Sequence, residues 1–400
     1  MNPISLVMVC FALLGAADLM IGNKFGLGNQ FKRGIMLLGS MVMSMVGMLV
    51  LAPLIAHFLN PIVGPMANAL HFEPSVIPAM LLANDMGGYT LAMEFATNPQ
   101  VGYYNGLIVS AMMGVTISFN IPFSMGVVPK EKHEPLLLGL LCGIITTPVG
   151  CLISAFIVKL PIIDLLASLI PLLLCAIILA VALFLWPRAC VKVFKVFGVF
   201  INTIIIFGLA VGIFEGVTGI ELIPYTAPIG DAFDVCTNAA MVMSGAFTLI
   251  YIISKILDKP MKKVGKLMGI NTASALGFLS TLATNMTTYG NMQDMDDKGL
   301  LLNSAFSVSA GFAFAGHLAF TLVYNPDYSV SMMVGKVVSG ICAVIVAILL
   351  HKIMGKRNAK PTPDLPSTEE NLSSVEDGNV QKVLQKVKPD TNADEILALL

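Results

Sequence analysis

Asp85 sits in an otherwise apolar stretch, within Leu82-Ala83-Asn84-Asp85-Met86-Gly87-Gly88-Tyr89. Burying a carboxylate among apolar neighbours is costly, so such a residue by default marks a ligand or ion path. Asn84 and Tyr89 accompany it, and the paired glycines let backbone carbonyls turn toward a ligand. The competing reading is structural: Asp85 caps a half-helix and pairs with a lysine. A second polar cluster, Thr284, Asn285, Thr287, Thr288 and Tyr289, lies in another apolar stretch. It either lines a cavity or supplies interhelical hydrogen bonds.

Asn120 and His317 hold matching places in the two halves of the chain, and Pro122 is expected to break the helix after Asn120. His317 is either a hydrogen-bonded core residue or a group that titrates near neutral pH, gating or relaying protons. Tyr89 and Tyr289 offer ring faces or hydroxyls to a cation, or simply pack. Glu94 and Asp294 match each other and should lie in water near segment ends, where Glu94 could gate. Lys336 falls inside the last apolar run. It either snorkels to the outer face, serves as counter-charge to Asp85, or stands where a coupling cation would. One carboxylate neutralises one ammonium, and amides and hydroxyls satisfy its remaining donors or a neighbouring hydroxyl. The inventory therefore suits binding of a small polar cation.

Other chemistries find no residues. There is no phosphate loop and no nucleophile with a base at recognisable spacing, so neither an enzyme nor ATP-driven transport by this chain is expected. The seven cysteines form no C-x-x-C pair and no metal spacing with histidine, so they read as packing residues, with no metal or cofactor. The 25 methionines read as adaptable packing. A net charge of -1 argues against a nucleic-acid partner.

The elements that must position these residues follow from hydropathy. Of 400 residues, 56% are hydrophobic and 12% charged, against about 25% charged in soluble domains; lipid must cover much of the surface. A span needs about 20 apolar residues. Clear candidates are 3–22, 34–58, 101–127, 135–158, 161–186, 193–214, 235–257, 300–324 and 329–350. Met1 begins an apolar run without a basic flank or cleavage site, so the first candidate reads as a retained span. Segments 74–97 and 271–292 are long enough but broken by glycines and polar residues. Irregular backbone at membrane depth is tolerated only against protein or a watery cavity. If both are re-entrant hairpins, the basic loops at 24–33, 130–132, 188–195 and 255–266 all become cytoplasmic, and the acidic loop 215–234 external. The N-terminus is then outside and the C-terminus cytoplasmic. Eleven full spans are the alternative.

The halves also match each other. Leu82-Ala83-Asn84-Asp85-Met86 with Tyr89 resembles Leu282-Ala283-Thr284-Asn285-Met286 with Tyr289, and Gly114, Asn120 and Phe123 match Gly311, His317 and Phe320. The expected architecture is an all-α polytopic membrane protein of about nine spans and two hairpins. It has two inverted repeats, as in many secondary transporters. The first repeat covers 1–160, a linker span 161–190, the second repeat 191–355. The tail, 356–400, is polar and expected to be largely disordered, with a short amphipathic helix near 378–388.

At these residues the chain resembles the ethanolamine utilisation transporter family (ethanolamine permease, EutH-like). The resemblance covers roughly 30–350. It is carried by Leu81-Leu82-Ala83-Asn84-Asp85-Met86-Gly87-Gly88, and by the run from Thr281 through Gln293-Asp294-Met295-Asp296 and Ala305-Phe306-Ser307-Val308-Ser309-Ala310 to His317 and Phe320. One departure is Gly316, where the family pattern has an acid before the histidine. The resemblance implies uptake of ethanolamine across a bacterial inner membrane, by facilitated diffusion or secondary transport, feeding an ammonia-lyase housed in a microcompartment. An ion-coupled transporter of another small amine fits the same residues. So does a membrane scaffold whose tail contacts ethanolamine-pathway proteins, and a homo-oligomer is compatible with either.

Overall fold

The computed structural model describes the backbone of residues 2–358 and the side chains of 2–353. The rest of the tail lies outside the described residues, and with it the expected disorder, the helix near 378–388 and the docking role. Among the described residues there are helices and no strand, and residues 1–353 pack as one unit. Eight helices are long and apolar enough to cross a membrane.

The chain begins with α1 (Pro3–Met20), followed by α2 (Leu27–Leu70). Two short helices come next, α3 (Val76–Leu81) and α4 (Gly88–Phe95). They are followed by α5 (Pro99–Val127), α6 (His133–Ile157), α7 (Ile162–Leu185), α8 (Pro187–Thr218) and α9 (Ile229–Met268). Two more short helices, α10 (Thr272–Ala283) and α11 (Asn285–Gly290), precede α12 (Asp297–Ala310), α13 (Gly316–Tyr324) and α14 (Ser329–Asn358). Several helices outrun their apolar stretches. The 40 residues of α9 span about 60 Å at 1.5 Å per residue, twice the hydrocarbon thickness of about 30 Å. Its lysine-rich second half, marked as a loop by hydropathy alone, is helix.

Two expectations need correction. Pro122 does not break α5, which runs on to Val127. The preceding turns, 105–114 and 116–120, are wide π-helix; this shifted register accommodates a ring without an N–H. Conversely, 300–324 is not one span. Helix α12 ends at Ala310 and α13 starts at Gly316, with Phe312 in the left-handed region at φ 59°. The unwound backbone is satisfied across the fold: the N–H groups of Phe312 and Phe314 donate to the Thr281 and Leu282 carbonyls, both at 3.0 Å. Broken helices at membrane depth need such partners.

Each broken segment begins and ends in one place. Buried Glu73 accepts from Thr97 N–H at 3.0 Å and from Thr97 Oγ1 at 2.6 Å. Asp296 accepts from Asn271 N–H at 2.8 Å and Ser274 Oγ at 2.7 Å. In the second segment the arms also touch along their length, Thr288 Oγ1 lying 2.9 Å from Thr281 Oγ1 and donating to Gly277 O at 3.4 Å. The two feet lie at opposite ends of the molecule. The first sits beside the start of α5, where Gln100 donates to Val158 O and receives the Tyr328 hydroxyl at its carbonyl. The second sits beyond the end of α5, where Lys132 donates to Gln293 O at 2.9 Å. The 29 residues of α5 put roughly 40 Å between them.

The foot at Asp296 carries a pH prediction. Partial burial would raise its pKa, but donors from Asn271, Ser274 and Gly299 outweigh that and hold it below the usual carboxylate range. Because the folded-state pKa is depressed, the stability is fully present above the unfolded value and is lost as pH falls through the folded one. Hydrogen-exchange protection across 271–300, taken relative to the intrinsic rate at each pH, should therefore be high at neutral pH and fall below about pH 4. Asp296→Ala should exchange fast already at neutral pH and lose the acid step. Unchanged protection in that variant would remove the clamp.

Candidate functional site

Each broken segment turns at its tip against a helix of its own half. In the first, α3 ends at Leu81, a tight turn covers Asn84–Met86, and Gly87 at φ 98° starts α4. In the second, Thr284 caps α11 by accepting from Met286 N–H at 3.3 Å. Both tips press on a glycine of the crossing helix. A methyl at Gly114 would stand 2.0 Å from Leu82 O; one at Gly311 would stand 2.2 Å from Asn285 Nδ2. A serine hydroxyl four residues before the first glycine, Ser110, donates to Leu82 O at 2.7 Å. Four residues before the second, Ser307 meets the Tyr289 hydroxyl at 2.8 Å.

The contacts cross between the halves. Asn285 of the second tip donates to Asn120 Oδ1 of α5 at 2.7 Å and to Ser307 O at 3.0 Å. Helix α13, which carries His317, packs on the Asn84–Met86 turn of the first tip. Phe123 faces Tyr289 with ring centres 6.2 Å apart, and Phe320 faces Tyr89 at 5.8 Å. The Tyr89 and Tyr324 ring centres also lie 4.0 Å apart, and Tyr103 continues toward Tyr328, so a row of packed aromatic rings runs from this tip toward the first foot.

Two polar atoms at the tips are buried without partners: Asn84 Nδ2 and Asn285 Oδ1. Their identities follow from their neighbours. Asn285 faces the Ser307 carbonyl, which can only accept, so its Nδ2 must point there and its Oδ1 away. Asn84 Oδ1 accepts from Asp85 N–H, which leaves Nδ2 free. An unpaired buried amide atom costs about 1–3 kcal/mol, and such orphans mark places where a ligand can repay the cost. Partly buried Asp85 directly follows Asn84, and among the described residues no other residue donates a hydrogen bond to its carboxylate. The first tip thus offers an anionic acceptor and a donor, and the second a neutral acceptor.

Lys336 is 0% exposed, which overturns the snorkelling reading. Its Nζ donates to the Ala111 carbonyl and lies 3.0 Å from His317 Nδ1. Pro326–Ile353 is long enough that Lys336 falls well inside it, out of reach of either end for its side chain. His317 is buried beside Phe312, ring centres 5.1 Å apart. Thr288 is buried with its hydroxyl engaged inside its own segment, and Glu94 is exposed, away from the cluster. Residues not singled out by sequence also build the centre: Ser307, Thr116, whose hydroxyl reaches Met112 O and lies 3.4 Å from Asn120 Nδ2, and Tyr324. The serine run Ser304, Ser307, Ser309 within an apolar helix was the available signal.

The Asn120–Asn285 bridge can be tested alone. Asn120→Ala strips the amide of its acceptor across the halves. It should cost about 1–3 kcal/mol, read as a lower thermal midpoint in detergent; an unchanged midpoint would mean the bridge carries no stability.

The sequence also matches known proteins. Residues 2–350 match the family model described as "Ethanolamine utilisation protein, EutH". The chain is 42% identical to a protein of Listeria monocytogenes named "Probable ethanolamine permease EutH" over 88% of this chain and 94% of that protein. It is 35% and 34% identical to proteins of the same name from Salmonella typhimurium and Escherichia coli, each over 86% of this chain and 94% of the relative. No solved structure matches it.

Proposed function

The chain belongs to the ethanolamine utilisation protein EutH family, and from that membership we propose that it carries ethanolamine across the bacterial inner membrane. The ammonium sits against the Asp85 carboxylate with Asn285 Oδ1 as a second acceptor, and Asn84 Nδ2 donates to the hydroxyl. The observation that carries this reading is an unpartnered buried amide, Asn84 Nδ2, next in the chain to a carboxylate that no other residue's hydrogen bond engages, with a second unpartnered amide atom, Asn285 Oδ1, at the other tip. Ethanolamine supplies what that set lacks: three ammonium donors and one hydroxyl acceptor. Tyr89 and Tyr289 close the two sides with their ring contacts, and His317 and Asn120 hold the opposing tips. Thr284 and Thr288 shape the second tip, and Glu94 stands as a gate at the outer rim.

The two broken segments are read as re-entrant hairpins of inverted repeats. Support comes from the joined feet at Glu73–Thr97 and Asp296–Asn271, set at opposite ends of α5. Contacts that swap equivalent residues between the halves point the same way. With basic residues gathered near the second foot, the N-terminus is external and the C-terminus cytoplasmic. Alternating access is then rocking of one repeat against the other.

Ligand linkage tests the site chemistry. Ethanolamine should raise the thermal midpoint of the purified protein. Ethylamine, without the hydroxyl, should raise it less, and ethylene glycol, without the ammonium, not at all. Equal shifts by ethylene glycol and ethanolamine would exclude recognition through the ammonium.

A further inference from the structure

A polar cavity of about 190 Å³ opens between α2, α9 and the second broken segment. Helix α9 packs against both α2 and α10, so three elements fix its walls. Its polar lining is Gln30 and Arg33 from α2, Ser254 from α9, and Ser280, Thr284 and Thr287 from the broken segment. Among the described residues no acid lines it. The exposed Arg33 guanidinium lies 4.8 Å from the Phe247 ring centre and pairs with no carboxylate among the described residues. Acids of the neighbouring elements are committed elsewhere. Asp18 accepts from the Phe25, Leu27 and Gly28 N–H groups, and Asp258 binds Lys262 at 2.7 Å.

This lining is rich in donors. A guanidinium carries five N–H groups in a planar fork, and the hydroxyls add one each. Thr284 Oγ1 accepts from Met286 N–H and so keeps its own hydrogen to give. The surroundings are positive as well. Lys32 precedes Arg33, Lys255 follows Ser254 with its Nζ 4.5 Å from the Tyr251 ring centre, and Lys259, Lys263 and Lys266 continue along α9. Such a cavity repels an ammonium and suits an anion with several acceptor oxygens. Arginine's fork matches phosphate. The volume is below the roughly 300–1,000 Å³ of small-molecule pockets, which fits a headgroup better than a nucleotide. The remaining wall is apolar, with Phe247, Ile250 and Leu279, and exposed Ile253, Ile256 and Met286 belong to the same elements. Acyl chains attached to the phosphate would lie on apolar surface.

We infer that this cavity holds the phosphate of an anionic phospholipid, with Arg33 forking its oxygens and the Ser254, Ser280 and Thr287 hydroxyls completing the set. Basic pockets between membrane helices bind lipid headgroups in this way. The walls come from both halves of the chain, α2 from the first, α9 and the broken segment from the second. A bound headgroup therefore ties the second broken segment to the first half. This does not depend on which solute the protein carries.

The experiment follows the thermal midpoint of the purified full chain in detergent micelles. Added phosphatidylglycerol should raise the midpoint by about 5 °C, and phosphatidylcholine at the same mole fraction should not. Arg33→Gln should lose the shift. Lys262→Gln, whose partner is Asp258 and which does not line the cavity, should keep it. If Arg33→Gln does not fold, Thr287→Leu, which fills the cavity from an exposed position and removes a donor, should lose the shift instead. Equal shifts by both lipids would overturn the inference, as would a wild-type shift in either cavity variant or an equal loss in Lys262→Gln. An equal rise with inorganic phosphate alone would make this a site for free phosphate and overturn the lipid assignment.

Discussion

Asp85→Asn is expected to abolish ethanolamine uptake while the protein still reaches the membrane. Asparagine has nearly the same shape, and the Asp85 side chain holds no hydrogen bond that the fold depends on among the described residues. What the substitution removes is the charge opposite the ammonium. Losing one partner of a desolvated charge pair costs about 2–5 kcal/mol, or roughly 30- to 5,000-fold in affinity. Initial uptake rates in cells lacking other ethanolamine carriers, with the protein quantified in the membrane fraction, measure this. Full uptake by Asp85→Asn would sink the site assignment.

Gly114→Ala should be as severe for a different reason. Its new methyl would lie 2.0 Å from the Leu82 carbonyl and 2.5 Å from that of Ala79, both rigid backbone at the end of α3. Relief requires the first tip to move by about an ångström, and overpacking of this kind costs about 1–3 kcal/mol or more. A shift of that size also displaces Asn84 and Asp85, so transport should fall with stability. Gly126→Ala, in the same helix with nothing within 4 Å of the new methyl, is the control and should behave as wild type. Normal uptake by Gly114→Ala would mean that the tip is not held against α5.

Much of this arrangement was legible in the sequence because membranes penalise charge so heavily. Asp85 and the Asn285 cluster stood out by being polar within apolar stretches, and both are at the tips. The matching strings of the two halves singled out Asn120 and His317, and the glycines they paired, Gly114 and Gly311, are the points where each tip touches its crossing helix. What hydropathy could not show was backbone continuity. An apolar run reads the same whether helical or unwound, so hydropathy does not separate the break at Gly311–Ala315 from a span; the N–H groups of Phe312 and Phe314, bonded to Thr281 and Leu282, do. Pro122 erred in the other direction, because π-helical turns absorb a proline that would disrupt an α-helix. Of the three readings for Lys336 only snorkelling fails, because reach depends on depth within α14, which composition alone does not give. The feet were hidden too: Glu73 and Asp296 look like loop acids in sequence, and only their bonds to Thr97, Asn271 and Ser274 show that each segment returns to where it began.

The central claim is that a single small cation is carried between two tips, held by Asp85. Its most direct test is uptake of radiolabelled ethanolamine by the purified chain in proteoliposomes, beside Asp85→Asn and protein-free vesicles. Saturable uptake that unlabelled ethanolamine competes, and that Asp85→Asn lacks, is the predicted result. Uptake by the wild-type protein no faster than in protein-free vesicles would contradict it.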